Sequence, residues 1–370
     1  MAKDLKVGII GTGGIANGKH MPSLAKLTNV SMVSFCDIVE DRALKAATDF
    51  GCAGATVYTD YKKMLEKENL DIIHVCTAND THSPIAVAAL EAGCNVMCEK
   101  PMAKTADGAR KMLAAKNKSG KKLTIGYQNR FRADSQFLKQ YCEKGGLGDI
   151  YYAKAQALRR RAVPTWGVFL DAEAQGGGPL IDIGTHALDL TLWMMDNYEP
   201  EMVVGSSYRK LADRKNSANA WGSWDPKKYT VEDSAFGYIK FKNGATVVLE
   251  SSWALNVRKD GEALTLLCGT EGGADMVDGL YINGEKFSKL YLNEIQTDGK
   301  GVAFYDAETE SPAEVEARLW IDAVLKDKDP VVLPEQALVV TEILEAIYSS
   351  AETNQPVFFD SKLAAKKCKK

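Results

Sequence analysis

The feature that most constrains this chain is an alternation through its first 125 residues. Six short apolar runs, "LKVGIIG", "VSMVSFCD", "ATVYTD", "LDIIHVCT", "CNVMCEKP" and "KKLTIGYQN", are separated by segments of helical spacing. Apolar strands joined by amphipathic helices imply parallel strands covered on both faces. The expectation is therefore a doubly wound parallel sheet over residues 1–125. A chain of 370 residues exceeds what one core usually serves, about 250–300, so a second domain is expected over 126–370. There "DIYYAKAQALRR", "AFGYIKF", "ATVVLESSWA" and "LTLLCG" read as long strands of period two.

Charge and composition narrow the partners. The formal charge of −3 gives no attraction to a polyanion, and no basic cluster or helix-turn-helix pattern points to nucleic acid. No apolar run approaches the roughly 20 residues that span a bilayer, and "MAKDLKVGII" is charged too early for a signal peptide. Eight cysteines lie scattered. A cytoplasmic protein with reduced thiols is expected, binding neither nucleic acid nor membrane. Cys94 and Cys98 lack a second Cys/His pair to complete a tetrahedral site, so no metal is expected.

The first strand runs into "GIIGTGGIA", where Gly11, Gly13 and Ala16 fit G-x-G-x-x-[G/A] at a strand-to-helix turn. Gly11 permits the turn, Gly13 lets backbone approach a pyrophosphate, and Ala16 lets helix and sheet pack closely. Thr12, Gly14 and Ile15 complete the loop, and the helix N-terminus offers its amides to phosphate. Asp37 ends the second strand, where a carboxylate grips a ribose hydroxyl and repels a 2′-phosphate. Together these predict an NAD site.

Ligands of such sheets bind beyond the carboxyl ends of the strands. "CTANDTH" (76–82), Glu99–Lys100–Pro101 and "GYQNRF" (126–131) occupy those ends. Lys100 is expected over the nicotinamide half of the cofactor, where a cation polarises a hydroxyl; the alternative is a solvated loop lysine. In "GGGPLIDIGTHALDL", Asp182 and His186 stand four apart, so they could meet if a helix begins between them. Histidine is the usual acid–base near neutrality, and a carboxylate orients it. Asp189, beyond His186, is a competing partner or a helix-surface acid.

"GTGGIA", "CTANDTH", "CEKPMA" and "GGGPLIDIGTHALDL", in this order, resemble the glucose–fructose oxidoreductase, inositol dehydrogenase and MocA (Gfo/Idh/MocA) family. The likeness continues through "YTVEDSAFGYIKFKNGATVVLESSW" and "LPEQALVVTEILEAIYSSAETNQPV". It implies an α/β plus α+β architecture: an N-terminal Rossmann domain and a C-terminal domain with a large open, mostly antiparallel sheet that makes homo-oligomers. It implies Lys100, Asp182 and His186 as the catalytic set, with substrate between the domains. Thr77, Asn79, His82, Glu99 and Lys100 would line the nicotinamide end, although Thr77-Ala78-Asn79 replaces the Thr-Pro-Asn frequent in the family.

The resemblance implies hydride transfer from a secondary hydroxyl of a sugar, polyol or glycoside to NAD. His186 would take the proton, Asp182 orient it and Lys100 favour the alkoxide. "LRRRAVPTWGVF" (158–169) would line the substrate cleft, its arginines donating to hydroxyls and its indole covering a sugar face. Arg159, Arg161, Trp166 and Asn129 thus join Lys100, Asp182 and His186 as substrate candidates. The R-R-R-x-x-P-x-W-G pattern resembles members acting on glycosides or anhydro-sugars, including those that oxidise the ring C3 hydroxyl. Two alternatives stand beside this: a glycosidase that uses bound NAD for transient oxidation and elimination, and an NAD-binding sensor without turnover.

Overall fold

The computed structural model describes residues 4–297 and 310–359. The chain divides into two compact units, Met1–Arg132 with Lys300–Leu338, and Ala133–Gly299 with Val339–Lys370. Among the described residues no helix is long and apolar enough to cross a membrane.

In the first unit, six strands are β1 (Leu5–Ile10), β2 (Val30–Cys36), β3 (Thr56–Tyr58), β4 (Ile72–Val75), β5 (Asn95–Cys98) and β6 (Leu123–Ile125). They form a parallel sheet in the order β3-β2-β1-β4-β5-β6, with the switch between β1 and β4. This is the doubly wound sheet that the alternation predicts. Local chemistry sets its helix ends: Asp60 and Thr105 accept amides at two N-termini, and Gly120 closes the helix Ala106–Ser119 in the left-handed region. The core over β1 and β2 is completed from far along the chain. The helix Pro312–Leu325, started by a Ser311/Glu314 capping box, buries Ala317, Trp320 and Ile321 there.

In the second unit, the strands are β7 (Ile150–Leu158), β8 (Pro200–Tyr208), β9 (Ser234–Phe241), β10 (Thr246–Ser252), β11 (Gly261–Gly269), β12 (Gly273–Asp275), β13 (Leu280–Lys286), β14 (Lys289–Ile295) and β15 (Val357–Phe358). Among the described residues they make one sheet, ordered β14-β13-β12-β11-β7-β10-β9-β8-β15. Only β7 and β10 pair in parallel; the other neighbours are antiparallel. Alternate residues of β7 and β9 are buried, and the apolar helix Thr185–Met195 packs on β7 and β11. Tyr151 and Tyr238 remain exposed, as period-two strands with one solvated face require.

Candidate active site

The glycine turn connects β1 to a helical stretch that opens at Gly14 and widens into a π turn, Ala16–His20. Gly11 has φ +86°, and a Cβ on it would lie 2.6 Å from the Cys76 carbonyl oxygen. Gly13 differs: a Cβ there would meet no atom within 4 Å, so open space lies over its backbone. No side chain caps this helix start. Glycine open to a ligand and an uncapped helix start fit a dinucleotide pyrophosphate. Ile15 is exposed and Ala16 buried against the sheet.

Asp37 closes the loop from the end of β2. Its Oδ2 accepts from the Thr12 amide (2.9 Å) and hydroxyl (3.2 Å), and its Oδ1 accepts from the Val39 amide (2.9 Å). The acid expected to grip a ribose thus also fixes Thr12 beside the glycines. Ile38, next along, is 89% exposed, an apolar surface beside the ribose position that sequence reasoning did not single out.

The strand ends carry the next cluster. Asn79 opens the helix Asn79–Glu91, and Thr77 lies just before it, its hydroxyl accepting from Thr81 (2.8 Å). His82 is buried, its ring between the carbonyls of Pro101 (2.8 Å) and Thr77 (3.1 Å). Burial holds its pKa below the usual value, so the neutral ring donates to one carbonyl at a time. His82 therefore ties the helix Asn79–Glu91 to one of those two backbones. Lys100 is half-buried at the end of β5, and its bond to Pro101 is cis. Asn129 lies partly exposed in the 3₁₀ turn Gln128–Phe131.

Glu99 turns inward. Its Oε2 accepts from the Lys100 amide (3.0 Å), while Oε1 meets Lys19 Nζ and His20 Nε2, each at 2.8 Å. Lys19 also pairs with Glu316 of the helix Pro312–Leu325 at 2.8 Å. His20 Nδ1 stands 2.9 Å from His74 Nδ1. Burial opposes ionisation of Glu99, yet Lys19 and His20 outweigh it and hold its carboxyl well below the usual range. Burial also opposes the His20 imidazolium, but the Cys76 sulfur and Glu99 lift it to about 10. Burial and the neighbouring charges of His20 and Lys19 push His74 down. This order of charge makes His20 the donor to both His74 and Glu99. Sequence reasoning missed Lys19, His20, His74 and Glu316; the one available signal was that His20 and His74 are two of only four histidines.

In the second unit, Asp182 lies in a π turn, Leu180–Gly184, and His186 in the first turn of the helix Thr185–Met195. Helical backbone already runs from Pro179, so the helix does not begin between them: Asp182 and His186 lie four apart in one continuous helical stretch, and both residues are partly exposed. Asp189 is instead 1% exposed, not a helix-surface acid. The Asp182 turn is pinned from several sides. Trp253 Nε1 donates to Asp182 Oδ2 (3.0 Å), and Ser251 Oγ to the Pro179 carbonyl (2.7 Å). Glu232 accepts from the amides of Gly178 (2.7 Å) and Leu180 (3.1 Å) and from the Tyr348 hydroxyl (2.8 Å). This closeness explains the glycines before the turn: a Cβ on Gly177 would lie 2.0 Å from Tyr348 Oη, and one on Gly178 2.3 Å from the Glu232 carbonyl oxygen. Glu232 and Trp253 fall inside the family-like stretch "YTVEDSAFGYIKFKNGATVVLESSW", but sequence reasoning did not single them out.

Arg159, Arg161 and Trp166 gather near the end of β7. Arg159 pairs twice with Glu262 (2.5 and 2.9 Å), and Arg161 donates to Asn256 (2.6 Å). Trp166 is 51% exposed and meets Trp221 edge-on at 4.9 Å between centroids. In the segment "NAWGSWDPKKYTVED", Trp221 stays partly exposed while Trp224 is buried, donating to the Ala212 carbonyl (2.8 Å).

Comparison with known proteins bears on this arrangement. Residues 5–127 match the model of an oxidoreductase family with an NAD-binding Rossmann fold, and residues 135–275 match the GFO/IDH/MocA C-terminal domain. D-glucoside 3-dehydrogenase of Escherichia coli K12 is 37% identical over 356 residues, covering 95% of this chain and 97% of that protein. Inositol 2-dehydrogenase of Salmonella typhimurium LT2 is 30% identical over 194 residues, 52% of this chain and 55% of that protein. Among solved structures, an oxidoreductase domain protein from Kribbella flavida shares the fold with TM-score 0.84 and 23% identity, over 97% of this chain and 100% of the other. A levoglucosan dehydrogenase in complex with NADH and levoglucosan shares it with TM-score 0.80 and 22% identity, over 96% and 99%.

Proposed function

This chain belongs to the Gfo/Idh/MocA family of NAD-binding oxidoreductases, and we propose that it oxidises a secondary hydroxyl of a sugar or glycoside, with the C3 hydroxyl of a pyranoside ring as the favoured position. The relative named D-glucoside 3-dehydrogenase, matched nearly end to end, supports the substrate class and the carbon. NAD, when bound, supplies the hydride acceptor; the chain's own groups orient the substrate and move its proton.

His186 takes the hydroxyl proton, and Asp182 orients and stabilises the imidazolium. Lys100 donates to the same oxygen and favours the developing alkoxide. Gly11 to Ala16 and Asp37 would hold the dinucleotide; Thr77, Asn79 and the loop beside His82 would shape its nicotinamide end. Glu99 holds the Lys100 amide from beneath. The observation that carries this reading is the Trp253 bond to Asp182, in a turn pinned one helical turn ahead of His186.

The test is NADH absorbance with a panel of polyols, free sugars and glycosides. Growth of the band with a pyranoside, its loss in Lys100→Ala and His186→Ala, and retained NAD binding in both variants are expected. Consumption of a glycoside without any net band would point instead to an internal oxidation–elimination cycle. Neither band nor consumption would sink the dehydrogenase reading.

A further inference from the structure

A cleft of about 820 Å³ opens in the second unit beside the β7 end, walled by Arg159–Ala162, Trp221, Asn256 and Asp260–Glu262. Resting on the reading that the substrate is a glycoside, we propose that this cleft is a subsite for a second sugar ring, so that the enzyme selects disaccharides over simple glycosides.

Position is the first ground. The Arg159 amide donates to the Ser252 carbonyl (2.8 Å) and the Ala162 amide to the Trp253 carbonyl (3.0 Å). The cleft wall is therefore stitched to the residue whose indole holds Asp182. Aromatic rings continue the wall outward. Trp253 meets Phe169 at 6.4 Å, Phe169 meets Trp166 at 5.8 Å, and Trp166 meets Trp221 at 4.9 Å. The cleft is thus joined through Trp253 to the Asp182 turn, so a substituent on a ring held there has this wall within the same unit.

Size and chemistry are the second. Clefts of ~300–1,000 Å³ take drug-sized ligands, and at about 820 Å³ this one has room for a sugar ring without including Asp182 or His186 in its lining. The lining mixes donors with acceptors. Arg160 is exposed and Arg161 faces Asn256, while Asp260 and Glu262 bring carboxylates. Arg159 and Glu262 neutralise one another, and a purely accepting ligand such as a phosphate would use Arg160 and Arg161 but leave Asp260 unmatched. A bare hydrocarbon would strip these groups of water without returning hydrogen bonds. Hydroxyls both donate and accept, so a polyhydroxylated ring satisfies the two signs at once. Trp221, 43% exposed, supplies an indole for the ring's C–H face.

The wall is also organised in advance. Arg159 is locked by two bonds to Glu262, by one to the Ala162 carbonyl (3.1 Å), and by stacking 5.1 Å from the centroid of Trp221. A side chain already ordered loses little entropy on binding.

The experiment compares kcat/KM for a disaccharide and for the methyl glycoside of its oxidised ring, in the wild type, Trp221→Ala and Arg160→Ala. The wild type should favour the disaccharide by roughly tenfold or more, chiefly through KM. Trp221→Ala should bring that ratio close to one. Arg160→Ala, in which an exposed side chain is shortened, should lower it with no change in melting temperature. A wild-type ratio near one overturns the proposal, as do variants that slow both substrates equally. A preference for the phenyl glycoside over the disaccharide overturns it too, since the subsite then favours apolar groups. If no compound yields NADH, the reaction assignment has failed; calorimetric titration of the same pair into the NADH-loaded protein then decides the subsite, and equal affinities refute it.

Discussion

Lys19 and Glu99 form a 2.8 Å ion pair whose two side chains are 8% and 7% exposed. Lys19 also holds Glu316, and Glu99 also holds His20 and the Lys100 amide. One buried carboxylate therefore joins the glycine-turn helix to the strand end that carries Lys100. Its partners compensate one another, and that mutual compensation is what a substitution would break.

Glu99→Gln should accordingly be among the most damaging conservative changes in the first unit. It leaves Lys19 and His20 buried with less negative charge, and breaking a buried pair costs about 3–5 kcal/mol. Urea unfolding should register a loss of that order. A loss below ~1 kcal/mol would mean that the network relaxes or hydrates freely.

The same network sets a pH dependence. His20 has its folded pKa raised from 6.5 to about 10, so its contribution is complete below about 6.5 and is lost as pH climbs through about 10. Glu99 is depressed from 4.5; its contribution is present above about 4.5 and disappears as pH falls through its lower folded value. Lys19, His74, Cys76, Glu99 and Glu316 are the charged and titratable groups around His20. Stability should thus decline between pH 6.5 and 10, with a slope approaching ~1.4 kcal/mol per pH unit from this group. In His20→Asn that alkaline slope should flatten. An unchanged slope would show that His20 is neutral in the folded protein.

Gly13→Ala separates folding from cofactor binding. The added methyl meets no atom within 4 Å, so stability should change by less than ~1 kcal/mol, the helix-context difference between glycine and alanine. The methyl would occupy space needed for close approach of a pyrophosphate. Titration with NAD, followed by fluorescence or calorimetry, should show affinity weakened at least about tenfold, or ~1.4 kcal/mol. Unaltered affinity would place the pyrophosphate elsewhere.

Trp253→Phe removes the indole donor to Asp182 while keeping an aromatic ring against Phe169 and Tyr229. If Asp182 orients His186, kcat should fall about tenfold, near 1.4 kcal/mol of barrier, with NAD affinity unchanged. Equal loss of NAD affinity and kcat would mark a collapse of the fold rather than a misdirected carboxylate.

The legible parts of this protein were those with a local cause. Strand and helix periods and Gly11 at the glycine turn follow from backbone sterics and burial within a few residues. So does the placement of Asp37 at the end of β2. The five strands β8 and β12–β15 were less legible. Short or weakly alternating segments such as "GAD" and "VF" become strands only because a neighbouring edge offers its hydrogen bonds.

By itself, the sequence determined the doubly wound sheet, the dinucleotide turn and the family motifs, because each rests on interactions between near neighbours in the chain. Only the tertiary structure decided that Glu99 faces Lys19 and His20, that Glu316 joins them from more than 200 residues away, and that Trp253 and Glu232 pin the Asp182 turn. Whether a charged or polar side chain is solvated or buried against a partner depends on which distant segments surround it. A carboxylate reads the same in sequence in either setting; desolvation and pairing make it a different chemical group.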